Sequence, residues 1–187
     1  MKKFALSLLV VALMILMARP TFAAVGEEIM VGENLGAINR LAVAMPNHNK
    51  DITTPKEPNL DELLLILDAA ATSGKIKNYS VISVNDIVAA IRQDTGVDLT
   101  ATANYKEAYK VFDDNIAKYA DAYVVLTIAN SQKSSTFFFE VRNAQTGDIM
   151  YNFITKAGKD TGSYTNACTE FFRRFDLAVE KQRKASK

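Results

Sequence analysis

The order of strand-like and helical segments constrains the fold of this chain more than any other feature of its sequence. Five short runs have the composition of buried strands: 41–46, 79–84, 122–128, 136–142 and 149–155. Segments with helical periodicity separate the first three runs, and such crossovers join parallel strands. The last two runs flank a turn at Gln145-Thr146-Gly147 and predict an antiparallel hairpin. We therefore predict a single α/β domain: a mixed sheet of about five strands covered by helices, an αβα sandwich.

Capping signals predict where the first two helices begin and end. Asn59, with Glu62 three residues later, indicates a capping box, and Gly74 is a suitable stop. The apolar stripe of this first helix is Leu60, Leu63, Leu64 and Leu67. Asn85 is expected to cap the second helix, which ends near Gly96.

Two further helices are predicted from apolar stripes at helical spacing. The third covers about 106–120, with the stripe Tyr109, Phe112, Ile116 and Tyr119. The fourth begins near Thr161, and its stripe is Cys168, Phe171, Phe172, Phe175, Ala178 and Val179. Outside these elements, we interpret 24–39 as a loose lead-in and 181–187 as a basic C-terminal tail.

The start of the chain has the features of a secretory signal. Lys2 and Lys3 precede an apolar run over 4–17, which is shorter than the roughly 20 residues that span a bilayer. Small residues at positions 21 and 23 suit cleavage after Ala23, although a membrane anchor is the alternative interpretation. We predict a signal peptide over 1–23 and a periplasmic or secreted protein. No cysteine lies near the cleavage site, so we expect no lipid attachment.

Composition excludes several classes of site and partner. Without the signal, about 164 residues remain, enough for one core, and the net charge is near −2, which argues against nucleic acid as a partner. Cys168 is the single cysteine and His48 the single histidine. An internal disulfide and a zinc site of several Cys or His ligands are therefore excluded by counting. We predict no metal, no cofactor and no catalytic residues.

Three features that carry possible chemistry have simpler interpretations. His48 lies in a predicted polar loop over 48–58 without a recognisable nucleophile, so we expect no general base there. Cys168 shares its stripe with phenylalanines, which predicts a buried, inert thiol. The segment 158–163 resembles a phosphate loop but lacks the Walker spacing, and it remains a candidate for weak anion binding at a helix start.

The aromatic residues of the hairpin predict two different faces. Phe137, Phe139 and Val141 share one face of the strand, and Phe138, Glu140 and Arg142 share the other. We predict the pairs Phe139–Tyr151 and Phe137–Phe153 on the core face. On the other face we predict Arg142–Met150, Glu140–Asn152 and Phe138–Ile154. That second face is either covered by a helix or is a partner-binding surface formed by Phe138, Glu140 and Arg142.

The order of four segments over about 40–179 resembles a known group of envelope proteins. These segments are 40–43, 79–82, 120–125 and the hairpin 141–148. In this order they resemble the small domains grouped around CsgG, the N-terminal domain of TolB, and LpoB. The resemblance implies that 40–180 is a non-enzymatic domain that assembles or regulates envelope machinery through protein contacts. The chain departs from the group: it lacks the lipid-acceptor cysteine, the extra amphipathic hairpins of a secretion channel, and a long disordered tether.

These observations favour a non-enzymatic, extracytoplasmic protein-interaction domain, an accessory or assembly factor of the bacterial cell envelope. Its expected partner is another envelope protein. The alternative is a small-molecule or anion-binding periplasmic module that uses the segment 158–163.

Overall fold

The computed structural model describes residues 24–48, 56–73, 76–100 and 105–186. The predicted signal peptide and Gly74 lie outside these ranges. The described helices are α1 (Leu60–Ala71), α2 (Val84–Thr95), α3 (Tyr105–Ile116) and α4 (Thr161–Ala185), with a 3₁₀ turn at Leu35–Ala37. The described strands are β1 (Ala24–Ile29), β2 (Arg40–Val43), β3 (Asn47–His48), β4 (Ser80–Ile82), β5 (Ala122–Asn130), β6 (Ser135–Asn143) and β7 (Ile149–Ala157).

The strands form one mixed sheet in the order β1-β7-β6-β5-β2-β4, and β3 also pairs with β5. Strand β2 is parallel to both β4 and β5, as expected for strands joined by helical crossovers. Strands β5, β6 and β7 form an antiparallel meander, and β1 pairs antiparallel with β7. The predicted mixed α/β sandwich is confirmed.

Helices cover the two faces of the sheet unequally. On one face, α1 and α4 close a large core over β2, β5, β6 and β7, and residues such as Phe139, Phe153 and Phe171 are at most 1% exposed. On the other face, α2 and α3 close a smaller cluster that includes Ala42, Tyr123 and Phe112. The alternation of side chains along each strand separates the two layers.

Local hydrogen bonds explain where the first two helices begin. The Asn59 side chain accepts from the backbone N–H of Glu62 at 2.9 Å, and the Glu62 carboxylate accepts from the backbone N–H of Asn59 at 2.9 Å, so the predicted capping box is confirmed. The predicted cap of α2 is wrong. Ser83, not Asn85, precedes that helix, and its Oγ accepts from the backbone N–H of Asp86 at 3.1 Å. Gly96 ends α2 with a φ of 73°.

The predicted lead-in over 24–39 and the described part of the predicted basic tail both belong to the fold. The predicted lead-in contains β1, an edge strand on β7, and the 3₁₀ turn. The predicted basic tail extends α4 as far as Ala185. Arg183 donates to the carbonyl oxygens of Gly36 at 2.9 Å and Ile38 at 2.7 Å, and the backbone N–H of Leu35 donates to the Gln182 side chain at 2.5 Å. The end of α4 therefore holds the N-terminal segment in place.

The hairpin register differs from the prediction on the core face. Phe139 lies opposite Phe153, Phe137 opposite Thr155, and Val141 opposite Tyr151, so the predicted core pairs were offset by two residues. The face assignment survives, because a shift of two residues returns each side chain to the same side.

On the other face of the hairpin, Glu140–Asn152 and Phe138–Ile154 are confirmed, but a bulge between Val141 and Arg142 places Arg142 opposite Ile149 instead of Met150. Gly147 takes the expected left-handed conformation, with a φ of 76°. Its backbone N–H donates to the carbonyl oxygen of Asn143 at 2.9 Å, which closes the turn.

Within the described ranges, no helix combines the length and the apolar character that crossing a bilayer requires.

Candidate protein-interaction surface

The strand β6 has one buried face and one partly open face. Phe137, Phe139 and Val141 are at most 1% exposed against α4 and its neighbours. Phe138, Glu140 and Arg142 alternate with them and are only half-buried. The three residues predicted to bind a partner therefore do share one face of the sheet.

Neighbouring strands extend this face into a surface. Phe138 lies between Thr127 of β5 and Ile154 of β7, and Glu140 lies between Val125 and Asn152. All of these side chains are half-buried. We call the set the outer face: Val125, Thr127, Phe138, Glu140, Arg142, Asn152 and Ile154.

Among the described residues, α2 and α3 leave most of the outer face uncovered. The cluster under α2 and α3 reaches Tyr123 and touches Val125, but neither hydrophobic cluster of the described residues contains Phe138 or Ile154. Phe112 of α3 packs edge-on against Tyr123, with ring centroids 5.3 Å apart. The border of the covered region therefore runs along β5, and the outer face on β6 and β7 lies beyond it.

Charged groups occupy the end of the outer face nearest the hairpin turn. The Arg142 guanidinium donates to Glu140 Oε2 from two nitrogens, at 2.6 and 3.2 Å, and to the carbonyl oxygen of Gly147 at 3.1 Å. The Arg142 side chain is 32% exposed and that of Glu140 38%, so solvent screens the pair and its contribution to stability is small. Both groups remain available to a partner.

The phenol of Tyr123 marks where the outer face meets α3. Its OH donates to Asp113 Oδ1 at 3.3 Å. Burial and the Asp113 carboxylate raise the pKa of Tyr123 to about 12, and the nearby Arg142 guanidinium opposes them. The phenol therefore stays protonated at neutral pH and donates its hydrogen bond to Asp113.

A separate apolar cavity of about 410 Å³ lies at the carboxyl end of β2. It is lined by Ala44, Met45, Pro46, Asn47, Leu60, Ile87, Val88, Leu99, Ala108, Tyr109 and Phe112. The sequence placed Tyr109 and Phe112 on one helical stripe, but Phe112 is buried and Tyr109 is 45% exposed. In open α/β sheets, ligands bind outside the carboxyl ends of the strands, where consecutive crossovers lie on opposite faces. Here α1 follows β2 and α2 follows β4, and these two helices lie on opposite faces of the sheet.

The segment 158–163 is arranged against anion binding. The Asp160 carboxylate caps α4 and accepts from the Ser163 backbone N–H at 2.9 Å and from Ser163 Oγ at 2.7 Å. These hydrogen bonds hold the pKa of Asp160 below its usual value, so the helix start already carries an anion. Lys159 Nζ lies 2.5 Å from Glu57 Oε1, and the two side chains are 9% and 1% exposed. An incoming anion would meet one carboxylate at the helix start and a lysine already engaged by another.

The two residues with the most reactive side chains belong to different elements, Cys168 to α4 and His48 to β3. Cys168 is fully buried in α4, and burial raises the pKa of its thiol to about 12, which agrees with an inert thiol. The backbone of His48 belongs to β3 and pairs with Ile128, so the prediction of a loop position for His48 is wrong.

Comparison with known proteins gives fold-level likeness alone. No protein-family model and no curated protein matches the chain. Among solved structures, the chain is similar to the LpoB C-terminal domain from Escherichia coli, with 15% identity and a TM-score of 0.47 over 69% of this chain and 87% of that one. It is also similar to the lipoprotein GNA1162 from Neisseria meningitidis, with 11% identity and a TM-score of 0.44 over 66% of this chain and 82% of that one. TolB from Acinetobacter baumannii matches with 10% identity and a TM-score of 0.36 over 83% of this chain and 30% of that one.

LpoB and TolB, which the sequence resemblance named, thus recur among these structures, whereas the resemblance to CsgG stays a prediction. With identities of 15% or less and TM-scores below 0.5, the likeness goes no further than the arrangement of strands and helices. The function of this chain is therefore argued from its own residues.

Proposed function

We propose that this chain is a non-enzymatic protein-interaction domain of the bacterial cell envelope, and that its outer face binds another envelope protein. The envelope location rests on the export signal predicted over 1–23 and on the sequence resemblance. The absence of lipid attachment remains part of the same proposal.

The observation that carries this proposal is the half-buried apolar pair Phe138 and Ile154 on a sheet face. A sheet that faces water on one side usually presents polar residues there, whereas this one presents a phenylalanine and an isoleucine directly opposite each other. The Glu140–Arg142 pair flanks them. An aromatic centre with a polar rim is the usual composition of a protein interface.

The proposal is tested by exchanging the charges of the rim. In the double variant Glu140→Arg with Arg142→Glu, the two side chains can still form an ion pair, but the positive and negative charges that a partner would contact have exchanged positions. We expect the tagged variant to lose the protein that the wild type recovers from the envelope fraction of its native host, with a melting temperature within about 2 °C of the wild type.

A matched control is available on α4, where Lys184 donates to Glu180 at 2.6 Å at a distance from the outer face. The exchange Glu180→Lys with Lys184→Glu should leave recovery unchanged. If both double variants recover the partner equally well, the outer face is not the interface.

The cavity at the carboxyl end of β2 supports a second candidate, the binding of an apolar small molecule. Its volume of about 410 Å³ and its mostly apolar lining fit the usual range of small-ligand pockets. The dye 1-anilinonaphthalene-8-sulfonate should then bind the native protein and lose affinity in Ala108→Trp, where the indole fills the cavity. Equal dye fluorescence in both proteins would remove this candidate.

A further inference from the structure

The strand β4 forms one end of the described sheet, and its outer edge faces no other described strand. Among the described strands it pairs only with β2. The Ser80 backbone N–H donates to the carbonyl oxygen of Asn39 at 2.9 Å, so the peptide groups of Ser80 face β2. Because successive residues of a strand alternate in direction, the N–H and C=O of Val81 face away from the sheet. Such an edge is a template for another strand.

A groove of about 580 Å³ follows this edge. Its described lining consists of Asp68, Ala71, Thr72, Ile76, Tyr79, Ser80, Val81, Ser83, Asn85 and Asp86. These residues come from the end of α1, from β4 and its flanks, and from the start of α2. Since α1 and α2 lie on opposite faces of the sheet, the groove runs along the strand edge between the two layers.

The charge of the groove is negative. Asp68 is half-buried and Asp86 exposed, and no lysine or arginine belongs to the described lining. Burial raises the pKa of Asp68, and the negative charge of Asp86 raises it further. Both carboxylates line the same groove, so a cationic side chain that enters it is attracted by both.

We propose that the β4 groove binds an extended basic segment of another protein, which adds to the sheet as a strand beside β4. The backbone of Val81 exchanges hydrogen bonds with the added strand, and lysine or arginine side chains of that strand meet Asp68 and Asp86. Strand addition derives affinity from backbone hydrogen bonds and selectivity from side-chain contacts. Because β4 has only three residues, the carboxylates supply much of the attraction.

This site is independent of the outer face. Strand β4 is separated from β6 by β2 and β5 in the sheet, so a partner on one surface leaves the other free. The two proposals can therefore fail separately: the exchange of Glu140 and Arg142 tests the outer face, and variants of Asp68 and Asp86 test the groove.

The test uses a blocked seven-residue peptide, Val-Lys-Lys-Val-Lys-Lys-Val, which places lysine on both faces of the added strand and is labelled for fluorescence anisotropy at low salt. We expect Asp68→Asn and Asp86→Asn each to weaken binding about two- to fivefold, the range of exposed charge pairs. An asparagine is close in size to an aspartate, and the amide oxygen introduced by Asp86→Asn can still accept from Ser83 Oγ, as the Asp86 carboxylate does. The control Asp148→Asn, on the exposed hairpin turn, should bind as the wild type does.

Two further measurements separate strand addition from simple charge attraction. A peptide with alternate backbone nitrogens methylated keeps its charge but cannot pair as a strand, and it should bind about tenfold more weakly or worse. Hydrogen exchange of the Val81 amide should slow when the unmodified peptide binds. Equal binding of the methylated peptide, or a Val81 amide that exchanges at its free rate, would overturn the proposal. A dimer that protects Val81 without peptide would instead assign the edge to a second copy of this chain and would also overturn it.

Discussion

Replacing two adjacent phenylalanines of β6, one at a time, tests the assignment of the two faces of the sheet. Phe139 is 1% exposed. Its ring stacks on Phe171 with centroids 4.3 Å apart and lies 6.0 Å from the ring of Phe153. Phe139→Ala removes these contacts and leaves a cavity between β6, β7 and α4. The expected loss in the free energy of unfolding is about 3 to 5 kcal/mol.

Phe138→Ala is the matched control, because it makes the same chemical change on the same strand, one residue away. Phe138 is half-buried and lies on the outer face, so its truncation should cost about 1 kcal/mol. For a domain of this size, the melting temperature should fall by about 6 to 20 °C in Phe139→Ala and by about 2 to 4 °C in Phe138→Ala.

Urea unfolding followed by circular dichroism measures both free energies. Similar slopes against urea concentration would show that the same surface is exposed on unfolding in each variant. A loss at Phe138 as large as that at Phe139 would mean that the outer face is covered, and the proposed docking surface would then be refuted.

Two other predictions concern α4. Cys168 should react with a thiol reagent at least about a hundredfold more slowly in the native protein than in denaturant, because the thiol is buried and its pKa is raised to about 12. The reaction is followed by absorbance, and equal rates in the two states would contradict the packing of α4. Glu170 accepts hydrogen bonds from Arg173 and Arg174, which lower the pKa of its carboxyl below the ordinary value of 4.5. The ionised carboxylate therefore stabilises the fold fully above about pH 4.5, and this stabilisation is lost as the pH falls through the folded-state pKa. Glu170→Gln should therefore reduce the acid sensitivity of the melting temperature, and an unchanged acid limb of the pH profile would count against this ion pair.

The sequence predicted the elements whose signals are local. The capping box at Asn59, the left-handed Gly147 and the stripe that includes Phe171 each depend on residues within a few positions of one another. The face of Phe138, Glu140 and Arg142 was predictable for the same reason, since strand alternation has a period of two.

What the sequence could not predict depends on contacts between distant segments. The residues 24–29 have no alternating pattern, and they form a strand because β7 offers a free edge. Ser83 and Asn85 are both good caps, and the hydrogen bonds between Ser83 and Asp86 favour the first. The bulge at Arg142 and the groove beside β4 likewise arise from how strands and helices meet, which no single segment encodes.

The attachment of the N-terminal segment to the end of α4 has a consequence for the order of folding. Gln182 and Arg183 hydrogen-bond to Leu35 and Gly36, which lie 147 residues earlier in the sequence, and β1 can form only after β7 is available to pair with it. The segment 24–36 therefore finds its partners only when β7 and the end of α4 are available, which raises the contact order and slows folding. Removal of the last turns of α4 would take away the Gln182 and Arg183 side chains, and with them the hydrogen bonds that hold the segment 35–38.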